Sequence, residues 1–296
     1  MRARDNAQRF LIESCDVRGQ VVQLDETWKE ALARVDYPPR VRDLLGEAFV
    51  AAILLAGTIK FEGRMTFQIK GEGYLRLLVV QVTADRKVRG LARWDETGSR
   101  SMEAGLEALF GPDARLVITI EARKDAEPYQ GIVALQGESL SAALADYFRD
   151  SEQLQTALFL AVGDDVAAGM LLQKLPASER REDDVDGWQR ATLLAGTASA
   201  DELRDRPVEG LLHSLFHEER VRLFEESPVQ FACGCSRERT SALLEGLGEN
   251  EVQSIIEERG TVEITCEFCD AAYRYDAVDV AALFHGTAAA DVDHRH

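Results

Sequence analysis

What most constrains how this chain can fold is the placement of its thiols. Cys233-Gly234-Cys235 and Cys266-Glu267-Phe268-Cys269 form two pincers with 30 residues between them. Each pincer is local, so the intervening chain must fold back to bring the two together. Four thiolates at about 2.3 Å from a common centre suit Zn2+, whose filled d shell imposes no competing geometry. A segment this short needs such a staple, because domains under about 60 residues bury only a modest share of their surface. Thr261 to Thr265 and Ala272 to Tyr275 read as strands with the CxxC in their turn, and Ser236 reads as the N-cap of a helix over Arg237 to Leu247. The fifth cysteine, Cys15, stands alone in a strand-like stretch and reads as a small buried hydrophobe.

The rest of the 296 residues has ample material for a core, with 46% hydrophobic residues and 7 prolines, which excludes fibrous and wholly disordered classes and favours two domains. The longest apolar stretch, Phe49 to Ile59, is about half of the roughly 20 residues that cross a bilayer. The Met1 to Asn6 segment lacks an apolar signal region, so a soluble cytoplasmic protein without a membrane partner is expected. Lys plus Arg number 34 against 52 Asp plus Glu, a net −18 that repels phosphate backbones. Residues 231 to 296 hold 5 Arg and no Lys against 13 acidic residues, which argues against a nucleic-acid-binding zinc ribbon.

The expected class is α+β: a mixed α/β N-terminal domain over 1–176 with a large sheet covered by helices, a helical linker over 177–230, a small zinc-binding domain over 231–286 and a disordered tail over 287–296. Strands are expected at Arg9 to Ile12, Gly19 to Gln23, Met65 to Ile69, Leu75 to Gln81, Lys87 to Trp94, Ala114 to Glu121 and Tyr129 to Gln136. Helices are expected at Glu26 to Val35, Arg40 to Ile59, Met102 to Phe110 and Leu140 to Phe148. Thr156 to Val162 and Val166 to Leu172 read as a hairpin whose Gly163-Asp164-Asp165 turn supplies a residue at positive φ. The linker carries 20 charged residues between 178 and 227, with amphipathic pieces at Trp188 to Leu194 and Val208 to Phe216. Short helices of this kind depend on tertiary docking and are cheaply unlatched. A last helix runs from near Asp276 to Phe284 and ends at Gly286; the terminal His294 and His296 are given no metal role.

Several chemistries compete for the thiols. Zinc can simply staple a small interaction module. The CxC favours a reversible sensor, since a disulfide across it closes a strained, easily reduced ring. A thiol-disulfide oxidoreductase would place its CxxC after a strand and at a helix start, whereas here it lies between two short strands. HExxH, GxSxG and Walker patterns are absent, Gly71-x-Gly73 reads as a turn, and no enzymatic activity is expected.

The stretch from Phe231 through Cys233-Gly234-Cys235-Ser236-Arg237-Glu238-Arg239, with Cys266-Glu267-Phe268-Cys269, resembles the redox-regulated chaperones of the heat shock protein 33 family. Tyr147-Phe148-Arg149-Asp150-Ser151-Glu152-Gln153-Leu154 and Ala168 to Pro176 resemble it too, so the likeness spans nearly the whole chain. It implies an ATP-independent holdase, inactive while reduced with one zinc on Cys233, Cys235, Cys266 and Cys269. Peroxide or hypochlorous acid would form disulfides, expel zinc and unfold the linker, and a homodimer would then bind unfolding client proteins. Four cysteines permit three pairings. Loop-closure entropy favours neighbours, Cys233 with Cys235 and Cys266 with Cys269, although the CxC ring carries strain against it.

Overall fold

The computed structural model describes residues 4–96, 105–121, 127–135, 137–176 and 186–285. The charge run Glu179 to Asp184, the Met102 end of its expected helix, Gln136, Gly286 and the tail with His294 and His296 lie outside them. The chain divides into two compact units, Met1–Ala232 and Cys233–His296.

The first unit is built on two sheets. Strands β1 (Asn6–Ile12), β2 (Val17–Leu24), β8 (Thr156–Val162), β9 (Ala167–Lys174) and β10 (Val221–Pro228) form one, in the order β10-β1-β2-β9-β8, all antiparallel. The other has the order β11-β5-β4-β3-β6-β7, from β3 (Arg64–Lys70), β4 (Leu75–Thr83), β5 (Lys87–Trp94), β6 (Arg115–Glu121), β7 (Tyr129–Ala134) and β11 (Gln230–Phe231), with β11 parallel to β5. Helix α1 (Glu26–Leu32) follows β2, and α2 (Pro39–Ala56) comes next. Proline at the first position starts α2 with a preset φ, and no charge follows Glu47. Residues Ala48 to Leu55 of α2 are all buried, and the helix packs on β8 and β9 of one sheet and on β3, β4 and β5 of the other. A helix apolar all round needs cover all round, and two sheets supply it. Helices α3 (Leu106–Phe110) and α4 (Leu140–Asp150) complete this layer.

At its centre, on β2 and β9, the five-stranded sheet is buried on both faces. On β2, Val22 and Leu24 join the core around α2, while Val17 and Val21 join a second core on the opposite face. That second core is covered by α5 (Gly187–Ala195), α6 (Ala200–Asp205) and α7 (Val208–Phe216), which contribute Ala191, Leu203, Leu211, Leu212, Leu215 and Phe216. Phe10 reaches Phe216 with ring centroids 6.2 Å apart. Opposite Phe10 on β2 stands Gly19, where a Cβ would fall 2.1 Å from the Phe10 ring, so only glycine lets the ring lie flat there.

The hairpin β8–β9 is present, but its turn closes through Gly163 N–H donating to the Val166 carbonyl at 2.8 Å, and none of Gly163, Asp164 and Asp165 has positive φ. The segment expected to be a helical linker does carry helices, and it also contains strand: β10 pairs with β1 from Asn6↔Pro228 to Ile12↔Val221. Val221 and Leu223 pack on the second core while Arg222 between them points to Glu13, so the period there is two rather than 3.6. Cys15 is buried at 7% exposure, as expected, but it sits in the turn between β1 and β2 rather than in a strand.

The second unit consists of α8 (Arg237–Leu247), α9 (Glu249–Arg259), the hairpin β12 (Val262–Thr265) and β13 (Ala272–Tyr275), and α10 (Ala277–His285). Gly260 at φ +77° ends α9 in the left-handed conformation that side chains resist. Its buried apolar core amounts to Leu244, Val252, Ile256, Val262, Tyr275 and Val280. Among the described residues this is a small core for a unit of this size, with Ile255, Ile264, Tyr273, Leu283 and Phe284 partly buried against it.

Candidate metal centre

Each pincer is set by its local backbone. Asp270, at φ +53°, turns the chain so that Asp270 N–H donates to the Cys266 carbonyl at 2.7 Å and Cys266 N–H to the Ala271 carbonyl at 3.0 Å. This closes the turn between β12 and β13 with both CxxC sulfurs on it. The CxC precedes α8, whose N-cap Ser236 accepts from Arg239 N–H at 3.3 Å. Arg239 folds back to donate to the Gly234 carbonyl, and a Cβ on Gly234 would meet its guanidinium at 2.8 Å. Arg237 stacks on the Tyr275 ring at 4.3 Å and pairs with Asp279 at 2.9 Å, tying α8 to β13 and α10.

The four sulfurs come together. Cys233 and Cys266 lie 3.5 Å apart, Cys235 and Cys269 3.2 Å apart, and all four within 4.8 Å of one another. A tetrahedral ion at about 2.3 Å from each sulfur needs sulfurs about 3.8 Å apart, so the residues present fit a metal ion. Among the described residues this is the sole cluster of three or more His, Cys, Asp or Glu with metal-ligating geometry. Burial pushes the Cys269 and Cys266 thiols up, in opposition to amide donors from Ala271 to Cys269 and from Phe268 and Cys269 to Cys266. A divalent cation held by Cys233, Cys235, Cys266 and Cys269 would outweigh this burial and favour their thiolate forms.

Tyr273 was not legible as part of the site. Its hydroxyl donates to Cys235 Sγ at 3.2 Å, and that bond, with burial behind it, pushes the phenol up to about 12. The available signal was its position on the strand leaving the CxxC turn. The other segments that carried the family likeness serve the first unit: Tyr147 and Tyr129 hydroxyls both donate to Glu152 Oε1, at 2.7 and 2.9 Å, and Ala168 to Lys174 lie in the buried strand β9. Gly71 and Gly73 form a turn against the Phe110 carbonyl, to which Gly73 N–H donates at 2.9 Å.

Two sheets around a buried helix, followed by a small unit whose four cysteines lie close enough together to hold a metal ion, define a class of two-unit proteins with a cysteine cluster. The chain belongs to the Hsp33 family. The family described as Hsp33 protein matches residues 5–276. It is 45% identical over 284 residues to the 33 kDa chaperonin of Nitrosococcus oceani, covering 96% of both chains, and 44% identical over 298 residues to that of Chromobacterium violaceum, covering 100% of this chain and 99% of the relative. The fold is similar to the crystal structure of the 33 kDa chaperonin of Thermotoga maritima, with a TM-score of 0.76 at 21% identity over 95% of this chain and 98% of that one. Among the described residues no helix is long and apolar enough to cross a membrane.

Proposed function

We propose that this protein is a redox-regulated, ATP-independent holdase that binds unfolding client proteins when its thiols are oxidised. Membership of the Hsp33 family supports a chaperone activity, and the clustering of Cys233, Cys235, Cys266 and Cys269 supports regulation through the thiols. In the reduced state the four thiolates hold one Zn2+, which supplies the cross-link that the six-residue core of the second unit lacks. For each disulfide, two thiolates give two electrons to one peroxide, whose O–O bond breaks to leave two hydroxides; two disulfides use two peroxides. The thiolates are consumed, the metal leaves, and the second unit loses its staple.

The domain roles proposed are client binding and dimerisation for 1–176, a metastable linker for 177–230 and a redox switch for 231–286, in a cytoplasmic protein with no nucleic-acid or membrane partner. The linker reading is supported by the way α5–α7 cover the second core through apolar contact and a few polar ties. Glu219, 11% exposed, accepts from Arg190 of α5 at 2.7 Å and from Ser14 in the β1–β2 turn. Buried Gln23 donates to the Leu203 and Arg206 carbonyls, both at 2.8 Å. Release of these helices uncovers Phe10, Val21, Met170 and Leu172.

Reduced zinc-loaded protein and peroxide-treated protein are compared for suppression of aggregation of a thermally unfolding client and for turnover of a disulfide substrate. Suppression confined to the oxidised sample supports the proposal. Equal suppression in both states leaves a zinc-stapled interaction module, and turnover makes the protein an oxidoreductase.

A further inference from the structure

The four sulfurs differ in what donates to them. On the second pincer the donors include main-chain amides, of Phe268 and Cys269 to Cys266 and of Ala271 to Cys269. On the first pincer Cys235 receives a side-chain donor, the Tyr273 hydroxyl at 3.2 Å. Tyr273 pairs with Ile264 across the β12–β13 hairpin, so the strand that leaves the CxxC delivers a phenol to a sulfur of the CxC, 38 positions earlier in the chain. Tyr275, two residues on and on the same strand face, instead bonds Thr240 Oγ1 at 2.6 Å and the Arg237 carbonyl at 3.0 Å. One tyrosine therefore fastens α8 to the hairpin, while the other reaches the metal-binding sulfurs themselves.

We propose that Tyr273 is a positioning residue that sets how readily the centre surrenders its metal, by holding the Cys235 sulfur through an O–H···S hydrogen bond. The inference rests on the zinc and redox reading above and deepens it. A hydrogen bond occupies a sulfur lone pair and draws off electron density, and it fixes the rotamer that points the sulfur at the ion. Outer donors of this kind are worth about 10- to 100-fold in metal affinity or reactivity. Oxidation begins when a sulfur lone pair attacks a peroxide oxygen, breaking the O–O bond to give a sulfenic acid and hydroxide. A second thiolate then displaces hydroxide from the sulfenic acid and closes the disulfide. With its lone pair engaged, Cys235 is a poor first attacker and a slow leaver, which keeps the switch closed against low oxidant.

Tyr273→Phe removes one oxygen and keeps the ring, so it separates the hydrogen bond from packing. Reduced, zinc-loaded full-length protein is mixed with a chromogenic zinc chelator in two arms, with and without peroxide, and the rate of zinc transfer and the thermal midpoint are recorded. Tyr273→Phe is expected to transfer zinc about ten-fold faster in both arms with the reduced thermal midpoint unchanged. Tyr275→Phe is expected to lower the midpoint with a smaller effect on transfer. Equal rates for wild type and Tyr273→Phe overturn the inference, and so does acceleration by Tyr275→Phe as large as that by Tyr273→Phe. Should wild type yield zinc to the chelator but not faster with peroxide, the redox reading fails while the chelator arm still judges Tyr273.

Discussion

Single side chains set the chemistry of the centre, and the ligands are the first to test. Zinc released by a thiol-modifying mercurial is expected at about one per chain, falling to near zero in Cys233→Ser with Cys266→Ser; unchanged release sinks the ligand assignment. The pairing of thiols is a separate matter. Two sulfur separations across the pincers are short, Cys233 to Cys266 at 3.5 Å and Cys235 to Cys269 at 3.2 Å, yet those distances belong to the folded cluster, which the proposed oxidation would dismantle. Once the helices between the pincers loosen, proximity in sequence decides, so peptide mapping of the active form is expected to give Cys233–Cys235 and Cys266–Cys269. A dominant cross-pincer link refutes this. In the first unit, Glu47 on the inner helix α2 has its carboxyl raised by burial, eased by Arg40 and worsened by Asp43. A carboxyl raised in the folded state binds its proton more readily there than when unfolded. Its stabilising effect is full below the ordinary carboxylate range and is lost as pH rises through the raised value. Glu47→Gln is therefore expected to raise the thermal midpoint at pH 7 and to flatten its pH dependence between the ordinary and the raised value; a lower midpoint at pH 7 contradicts this.

At the scale of elements, the proposed switch would depend on how α5–α7 and β10 are held. Phe216 and Leu212 are 1% and 3% exposed on the inner face of α7. Removing a buried phenylalanine costs about 3–5 kcal/mol, and a carboxylate in its place adds to that. Phe216→Glu is expected to undock α7 and give client binding in the reduced, zinc-loaded state. A variant cleaved by protease between 187 and 216 that still binds no client until oxidised rules this out. The polar ties are weaker: Arg190→Ala removes the 2.7 Å ion pair to Glu219, and is expected to raise hydrogen exchange in α5 while leaving α2 protected. Uniform protection across both helices would assign the hold on α5 to apolar contact alone.

For the whole molecule, the expected order of loss is second unit first. Chelation under reducing conditions should abolish exchange protection in α8–α10 while both sheets of the first unit keep theirs, because the one has six buried apolar side chains and the other two extensive cores. Protection surviving in the chelated second unit would show that its core suffices without metal. Truncation after Pro176 removes more than a linker, since it strips β10 from β1 and opens one sheet face. The fragment is expected to suppress client aggregation without oxidation and to associate with itself through the freed edge and face. A monodisperse fragment that binds no client would place the client surface beyond residue 176.

Much of this protein is written locally. Proline at the start of α2 and the absence of charge after Glu47 mark a buried helix, strict alternation at Met65, Phe67 and Ile69 marks a strand, and the CxC and CxxC mark the two halves of the cysteine cluster, because each signal rests on neighbours within a few positions. Two short elements of the linker were missed although one carried a local sign: Ser199 and Glu202 form a capping box at the start of α6, while β10 has only Val221 and Leu223 to show an alternating face. Cys15 reads as a buried hydrophobe from composition alone, but its place in a turn depends on the pairing of β1 with β2. What only the tertiary structure decided is long range. Strand β10 finds β1 some two hundred positions away, the strands of the first unit part into two sheets because α2 needs cover on every side, and Tyr273 meets Cys235 because a hairpin carries it there. Such pairings are set by which surfaces exclude water together once the chain is compact, and no window of neighbouring residues contains them.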